Sequence, residues 1–119
     1  MKISKDDIIN AHERIKPYIH RTQVMTNQSI NEMTGIQFYF KCENFQKMGA
    51  FKMRGAINAI QNLTSKQKEN GVVTHSSGNF AQAISLASKY LNTKAFIVMP
   101  ENAPQVKKDA VLNYQGIIV

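Results

Sequence analysis

From residue 71 onward, three short apolar runs alternate with two amphipathic stretches, and no other feature constrains the fold as much. Val72-Val73 leads into THSSGN. Ala95-Phe96-Ile97-Val98-Met99 is nearly continuous in apolar side chains, and Gly116-Ile117-Ile118-Val119 opens a third run. Between them, residues 80–91 place Ala83, Ile84, Ala87 and Leu91 on one helical face. Residues 103–113 read as a second helix, with Asn102 as its cap and Pro104 tolerated in the first turn. Short strands apolar on both faces, joined by helices, form a parallel sheet covered by helices. The predicted class is α/β: three layers with a parallel β-sheet.

The first 70 residues are less regular. Ser4 and Asp7 form a capping box ahead of Ile8, Ala11, Ile15 and Tyr18, which recur at helical spacing until Pro17 weakens the last turn. A short helix over 27–34 ends at Gly35. Ile36, Phe38, Phe40 and Cys42 then alternate with polar or charged neighbours, which is strand periodicity. A loop with Gly49 precedes a helix over 52–63, whose apolar positions include Met53, Ala56, Ile57 and Ile60, and a shorter helix over 65–69 stops before Gly71. The pattern divides into an N-terminal helix-and-strand segment, 1–50, and a small α/β unit, 51–119. An apolar parallel strand needs cover, so the run ending at Val119 is expected to belong to a larger protein.

Composition narrows the function classes. A chain of 119 residues, 43% hydrophobic and 19% charged, suits one modest globular domain. The net charge of +7 comes from lysines scattered between Lys2 and Lys108, with arginine only at Arg14, Arg21 and Arg54. Nucleic-acid binding is disfavoured because the basic residues form no stripe. The charge can attract a phosphate or carboxylate ligand, with an incidental excess of lysine as the ordinary alternative. One cysteine, Cys42, excludes an internal disulfide and fits a reducing compartment; its place in the alternating strand predicts core packing. No apolar run reaches the roughly 18 residues of a membrane span, and the acidic N-terminal stretch lacks a signal-peptide core, so a cytoplasmic location is expected.

Two segments carry candidate chemistry. In KMGAFKMRGA, residues 47–56, Lys52 and Arg54 stand among Gly49, Ala50, Gly55 and Ala56, small residues that let a planar or phosphorylated ligand approach the backbone. A lysine in such a pocket can act as a Schiff-base nucleophile; a solvated lysine beside a loop is the ordinary alternative. In THSSGNF, residues 74–80, a strand end passes into a helix start, where backbone N–H groups favour an anion and Ser76, Ser77 and Asn79 add donors. A plain capping turn is the alternative there. His75 is a further acid–base candidate. No dinucleotide fingerprint, P-loop or GxSxG sequence occurs, and His12, His20 and His75 lack metal-site spacing.

Together these segments carry a resemblance. KCENFQKMGAFKMRGA, residues 41–56, is similar to the lysine motif of fold-type II pyridoxal-phosphate enzymes, most of all the serine racemase and threonine/serine dehydratase branch. HSSGNFAQA, residues 75–83, resembles the serine–asparagine loop of the same family, in the same order and separation. The resemblance implies an N-terminal fragment of the tryptophan-synthase-β-like fold, with pyridoxal 5'-phosphate as cofactor. It implies that Lys52 holds the cofactor aldehyde and takes the substrate α-proton. Phe51 would pack near the cofactor and Asn79 would bond its ring hydroxyl. Ser76, Ser77, Gly78 and Asn79 would receive the substrate carboxylate, and Ser77 would serve as acid or base on the opposite face. The implied activity is an amino-acid ammonia-lyase acting on serine or threonine, releasing ammonia and a 2-oxoacid. The alternatives are a serine racemase and a catalytically inactive truncated domain with a structural or interaction role. Neither nucleic acid nor membrane is an implied partner, and a homodimer is possible.

The departures from the family pattern are specific. Ala50 stands where serine usually precedes the Phe–Lys pair, Thr22-Gln23 replaces a common Thr-Pro, and Phe80-Ala81 replaces a polar residue and glycine. The family's glycine-rich phosphate cup, the partner of its pyridine nitrogen and its metal site come later in complete members. No metal ligand is therefore expected here.

Overall fold

The computed structural model describes residues 2–119. Helix α1, Lys5–Ile15, opens on the expected capping box: the Ser4 hydroxyl receives the Asp7 N–H, and the Asp7 carboxylate receives the Ser4 N–H at 2.9 Å. Those bonds from Ser4 hold the Asp7 pKa below the ordinary carboxylate value. A 3-10 turn, Lys16–Tyr18, follows at Pro17. Strand β1, Val24–Met25, pairs antiparallel with β2, Phe40–Lys41, and α2, Gln28–Thr34, lies between them, ending at Gly35 with φ of 68°. Two further 3-10 turns, Glu43–Phe45 and Lys47–Gly49, lead into α3, Lys52–Gln61. Then come α4, Ser65–Asn70; β3, Val72–His75; α5, Asn79–Tyr90; β4, Ala95–Val98; α6, Gln105–Asn113; and β5, Ile117–Ile118.

Strands β3, β4 and β5 form a parallel sheet in sequence order, with Val73 opposite Phe96 and Phe96 opposite Ile117. Two right-handed crossovers that advance the same way across a sheet place both helices on one face. Burial follows that rule. Val72, Thr74, Ala95 and Ile97 point towards the helices, whereas Val73 is 72% exposed and Ile117 is 42% exposed. The strands are apolar on both faces as expected, but within these residues only one face is covered.

The core lies between sheet and helices. Met53, Ala56, Ile57 and Ile60 of α3 join Ala83, Ile84 and Ala87 of α5, with Ile97 and Val111 behind them. Ile15 brings α1 into the same cluster. Helix α5 is buried continuously from Ala81 to Ser88, well beyond the single face its periodicity indicates.

Two sequence expectations need correction. The alternating run 36–43 yields only two strand residues; Ile36 and Phe40 are exposed, and Cys42 is half-buried at the start of a 3-10 turn, outside the core. The Phe38 N–H goes to Asn31 Oδ1 at 2.9 Å, so it is lost to strand pairing. Asn102 does not cap α6. The residue before a proline is forced from helical dihedrals, so Ala103 closes a turn onto the Pro100 carbonyl at 2.9 Å and the helix begins after Pro104.

Gly116, just before β5, lies against Ser85 of α5 and Val111 of α6. A methyl there would overlap the Ser85 hydroxyl and meet Val111 Cγ1 at 2.7 Å. Gly116→Ala should therefore destabilise the chain by about 1–3 kcal/mol, read as a lower urea midpoint with an unchanged slope.

Candidate functional site

Lys52 is the first residue of α3 and is exposed. Its Nζ lies 4.8 Å from the centre of the Phe51 ring, which is also exposed. Helical geometry separates the roles of its neighbours. Gly55, three residues on, returns to the Lys52 side, whereas Met53, Ala56 and Ile57 turn inward to the core. A Cβ on Gly55 would meet nothing within 4 Å. Open space beside the amine suits a planar ring, as the sequence suggested for Gly55. Ala50 and Ala56 do not share that role, because both are buried in the core.

The loop between β3 and α5 is arranged around Ser76. Its Oγ accepts the Gly78 N–H at 3.3 Å and the Ala81 N–H at 3.2 Å. Ser76 is thus the side-chain cap that α5 otherwise lacks. Ser77 and Asn79 are exposed, and a Cβ on Gly78 would meet nothing within 4 Å. The N–H groups of Asn79 and Phe80 stand in the first turn of α5, where no carbonyl one turn back can receive them. A helix start of this kind favours an anion. Ala81 is fully buried, so its methyl packs inward and leaves the loop mouth clear.

Asn79 has a partner that sequence reasoning missed. Lys107 Nζ of α6 donates to Asn79 Oδ1 at 3.3 Å. With its oxygen so engaged, the amide presents its NH2 group elsewhere, which is the donor a ring hydroxyl or oxide needs. Asn79 and Lys107 are 28 residues apart, and no local spacing links them. His75 ends β3 on the open sheet face, in register with Val98. Among the described residues, no hydrogen bond joins Lys52 to the 76–79 loop.

Arg54 turns away from Lys52. Its Nε and Nη2 grip Glu43 at 2.8 and 2.7 Å, and Thr22 Oγ1 donates to the same carboxylate at 2.5 Å. Arg54 therefore acts as a tie, fixing the start of α3 to the turn after β2. The Arg54 guanidinium is the main reason the Glu43 pKa falls to about 2, with Thr22 adding to it. Thr22, from the departing Thr-Gln pair, is buried to hold this link.

A family model described as "Pyridoxal-phosphate dependent enzyme" matches residues 15–119. The chain belongs to this family. It is 54% identical over 116 residues to a serine racemase of Dictyostelium discoideum, covering 98% of this chain and 36% of that protein. Against the crystal structure of that organism's serine racemase, the TM-score is 0.95 at 52% identity, covering 98% of this chain and 38% of the other. A β-hydroxyaspartate dehydratase of Paracoccus denitrificans is 52% identical over 113 residues, 95% of this chain and 36% of its own length. The processed form of a threonine deaminase from Solanum lycopersicum matches with a TM-score of 0.85 at 33% identity, over 100% of this chain and 34% of that one. The chain thus spans about a third of the length of the relatives it matches, and it has the fold-type II architecture of that portion. Pyridoxal phosphate is the cofactor of the family.

The Glu43–Arg54 tie has a defined pH signature. A carboxylate whose pKa is lower in the folded state contributes stability above its unfolded pKa and loses it as pH falls through the folded value. Glu43→Gln should cost about 1–2 kcal/mol at pH 7. By urea denaturation, this deficit should shrink as pH falls from the ordinary glutamate value of 4.5 towards about 2.

Proposed function

We propose that this chain carries the lysine-bearing part of a pyridoxal-phosphate enzyme acting on a small hydroxy-amino acid, with ammonia-lyase chemistry on serine or threonine as the leading activity. The observation that carries the reading is the exposed Lys52 amine beside the open flank of Gly55. The Ser76–Asn79 loop at the mouth of α5 supports it. Lys52, Phe51 and Asn79 fit the cofactor: an amine for its aldehyde, an aromatic face, and an amide donor oriented by Lys107.

Lys52 Nζ holds the cofactor and afterwards takes the proton from the substrate Cα. The bound cofactor supplies an electron sink for the charge left on that carbon. The Ser77–Gly78–Asn79 loop receives the substrate carboxylate at the start of α5, where the N–H groups of Asn79 and Phe80 have no helical acceptor. Ser76 shapes that loop by accepting two backbone N–H groups, and its own hydroxyl hydrogen is left to donate to the carboxylate. Loss of the β-hydroxyl and then hydrolysis release ammonia and a 2-oxoacid.

Racemisation is the second reading, supported by the serine racemase among the similar proteins. It requires Ser77 Oγ to exchange a proton on the face opposite Lys52, and Ser77 is exposed at the loop tip.

Pyridoxal phosphate added to the purified chain should produce a Schiff-base absorption band that is absent in Lys52→Ala. Gly55→Ala should weaken that band while leaving the fold at least as stable, because alanine improves an exposed helical position by about 0.5–1 kcal/mol. A band of equal strength in Lys52→Ala would sink the cofactor assignment. Ammonia and 2-oxoacid release, measured beside chiral analysis of serine, then separates lyase from racemase.

A further inference from the structure

A cavity of about 550 Å³ has none of the 76–79 loop in its lining, which is His12, Lys16, Ile19, Arg21, Lys41 and Arg54. Five of these six residues are basic types, and no carboxylate is among them. They come from four separate places: α1 and the turn after it, the segment before β1, β2 and α3. Arg54 is two residues beyond Lys52, a step that turns a helix by about 200°, so the cavity lies behind the lysine that would hold the cofactor.

Gathering like charges from distant segments is unfavourable unless something compensates. Neighbouring groups compensate only part of it. Glu43 neutralises Arg54 while leaving Arg54 Nη1 outside its grip. Glu13 meets Lys16 at 3.3 Å, but the side chains are 61% and 63% exposed, so this pair is weak. Lys41 is anchored by a 2.6 Å bond to the Thr22 carbonyl, a neutral partner that leaves its charge uncompensated. Arg21 and His12 complete the basic lining. The volume falls in the range of small-molecule sites, and guanidinium and ammonium groups together suit an oxyanion with several charges.

We propose that this cavity is a binding site for a compact, multiply charged oxyanion, separate from the Lys52 site. Arg21 and Lys41 are its principal cations, with Arg54 Nη1 as a third donor. The Thr22–Glu43–Arg54 link preorganises it by fixing α3 against the turn after β2.

Calorimetric titration of pyrophosphate into the 119-residue chain at low ionic strength tests the site. Pyrophosphate has no aldehyde and cannot report imine formation at Lys52. Saturable 1:1 binding is expected, weakened at least tenfold in Arg21→Gln/Lys41→Gln and less than twofold in Lys66→Gln/Lys89→Gln. The control pair removes the same charge from positions outside the cavity. If the first double variant loses its native circular dichroism, His12→Gln/Arg21→Gln, altering two exposed side chains, replaces it with the same expectation. Citrate in a parallel titration distinguishes the source: tighter pyrophosphate identifies a phosphate ligand, and tighter citrate a polycarboxylate. Absence of saturable binding, or equal weakening in the cavity and control pairs, overturns the proposal.

Discussion

Helix α5 is buried along eight consecutive residues, and the rest of the structure depends on how closely its neighbours approach it. A helix enclosed on several sides needs small side chains. Ala81, Ala83, Ser85, Ala87 and Ser88 supply them, with Ile84 and Leu86 filling the wider gaps. Ser85 Oγ returns its hydrogen to the Ala81 carbonyl at 2.8 Å, so its polarity costs little in the interior. Helix α3 can then rest on α5, Gly116 can bring β5 against Ser85, and the loop before Asn79 is carried on a rigid support. A functional loop on such a support keeps its geometry without side chains of its own to pack.

That arrangement explains what was legible in the sequence. The parallel unit after residue 71 follows from apolar runs separated by helical stretches, and its one-sided cover follows from crossover handedness. The capping box at Ser4 and the left-handed stop at Gly35 are local signals and were readable as such. The 36–43 run was misleading because alternation records which residues could face a core, without naming the partner strand. Asn31 instead takes the Phe38 N–H, and Phe38 and Phe40 stack with ring centres 5.8 Å apart. Cys42 followed that same error. Within the site, the family motifs singled out Lys52 and Asn79, but Lys107 lies outside them, and Glu43, inside the first, shows its partner Arg54 only in the fold. Their roles appear only once α6 folds beside α5 and the turn after β2 folds beside α3.

The departures from the family pattern can be sorted by where their atoms go. Ala81 adds a methyl to a position where glycine is common, yet that methyl enters the core. Ala50 is also buried, so the missing hydroxyl is replaced by packing. Thr22 keeps its hydroxyl in the Glu43 network. Neither Ala50 nor Ala81 places new bulk beside Lys52. Their effect falls on how firmly the lysine helix and the loop are held.

Helix α3 reconciles three demands by direction. Met53, Ala56, Ile57 and Ile60 face the core, Lys52 and Gly55 face open space, and Arg54 reaches Glu43. The division is enforced by the helical repeat, because a residue moved by one position changes faces by about 100°. Lys52 can therefore remain exposed without loosening the helix, since Arg54 and the buried stripe hold the same turn from other sides. A bidentate guanidinium–carboxylate pair suits this better than another apolar contact: it fixes both distance and rotation of the turn. Such a turn gives the flexible Lys52 stem a fixed base, so the position of its amine is set by the fold around it.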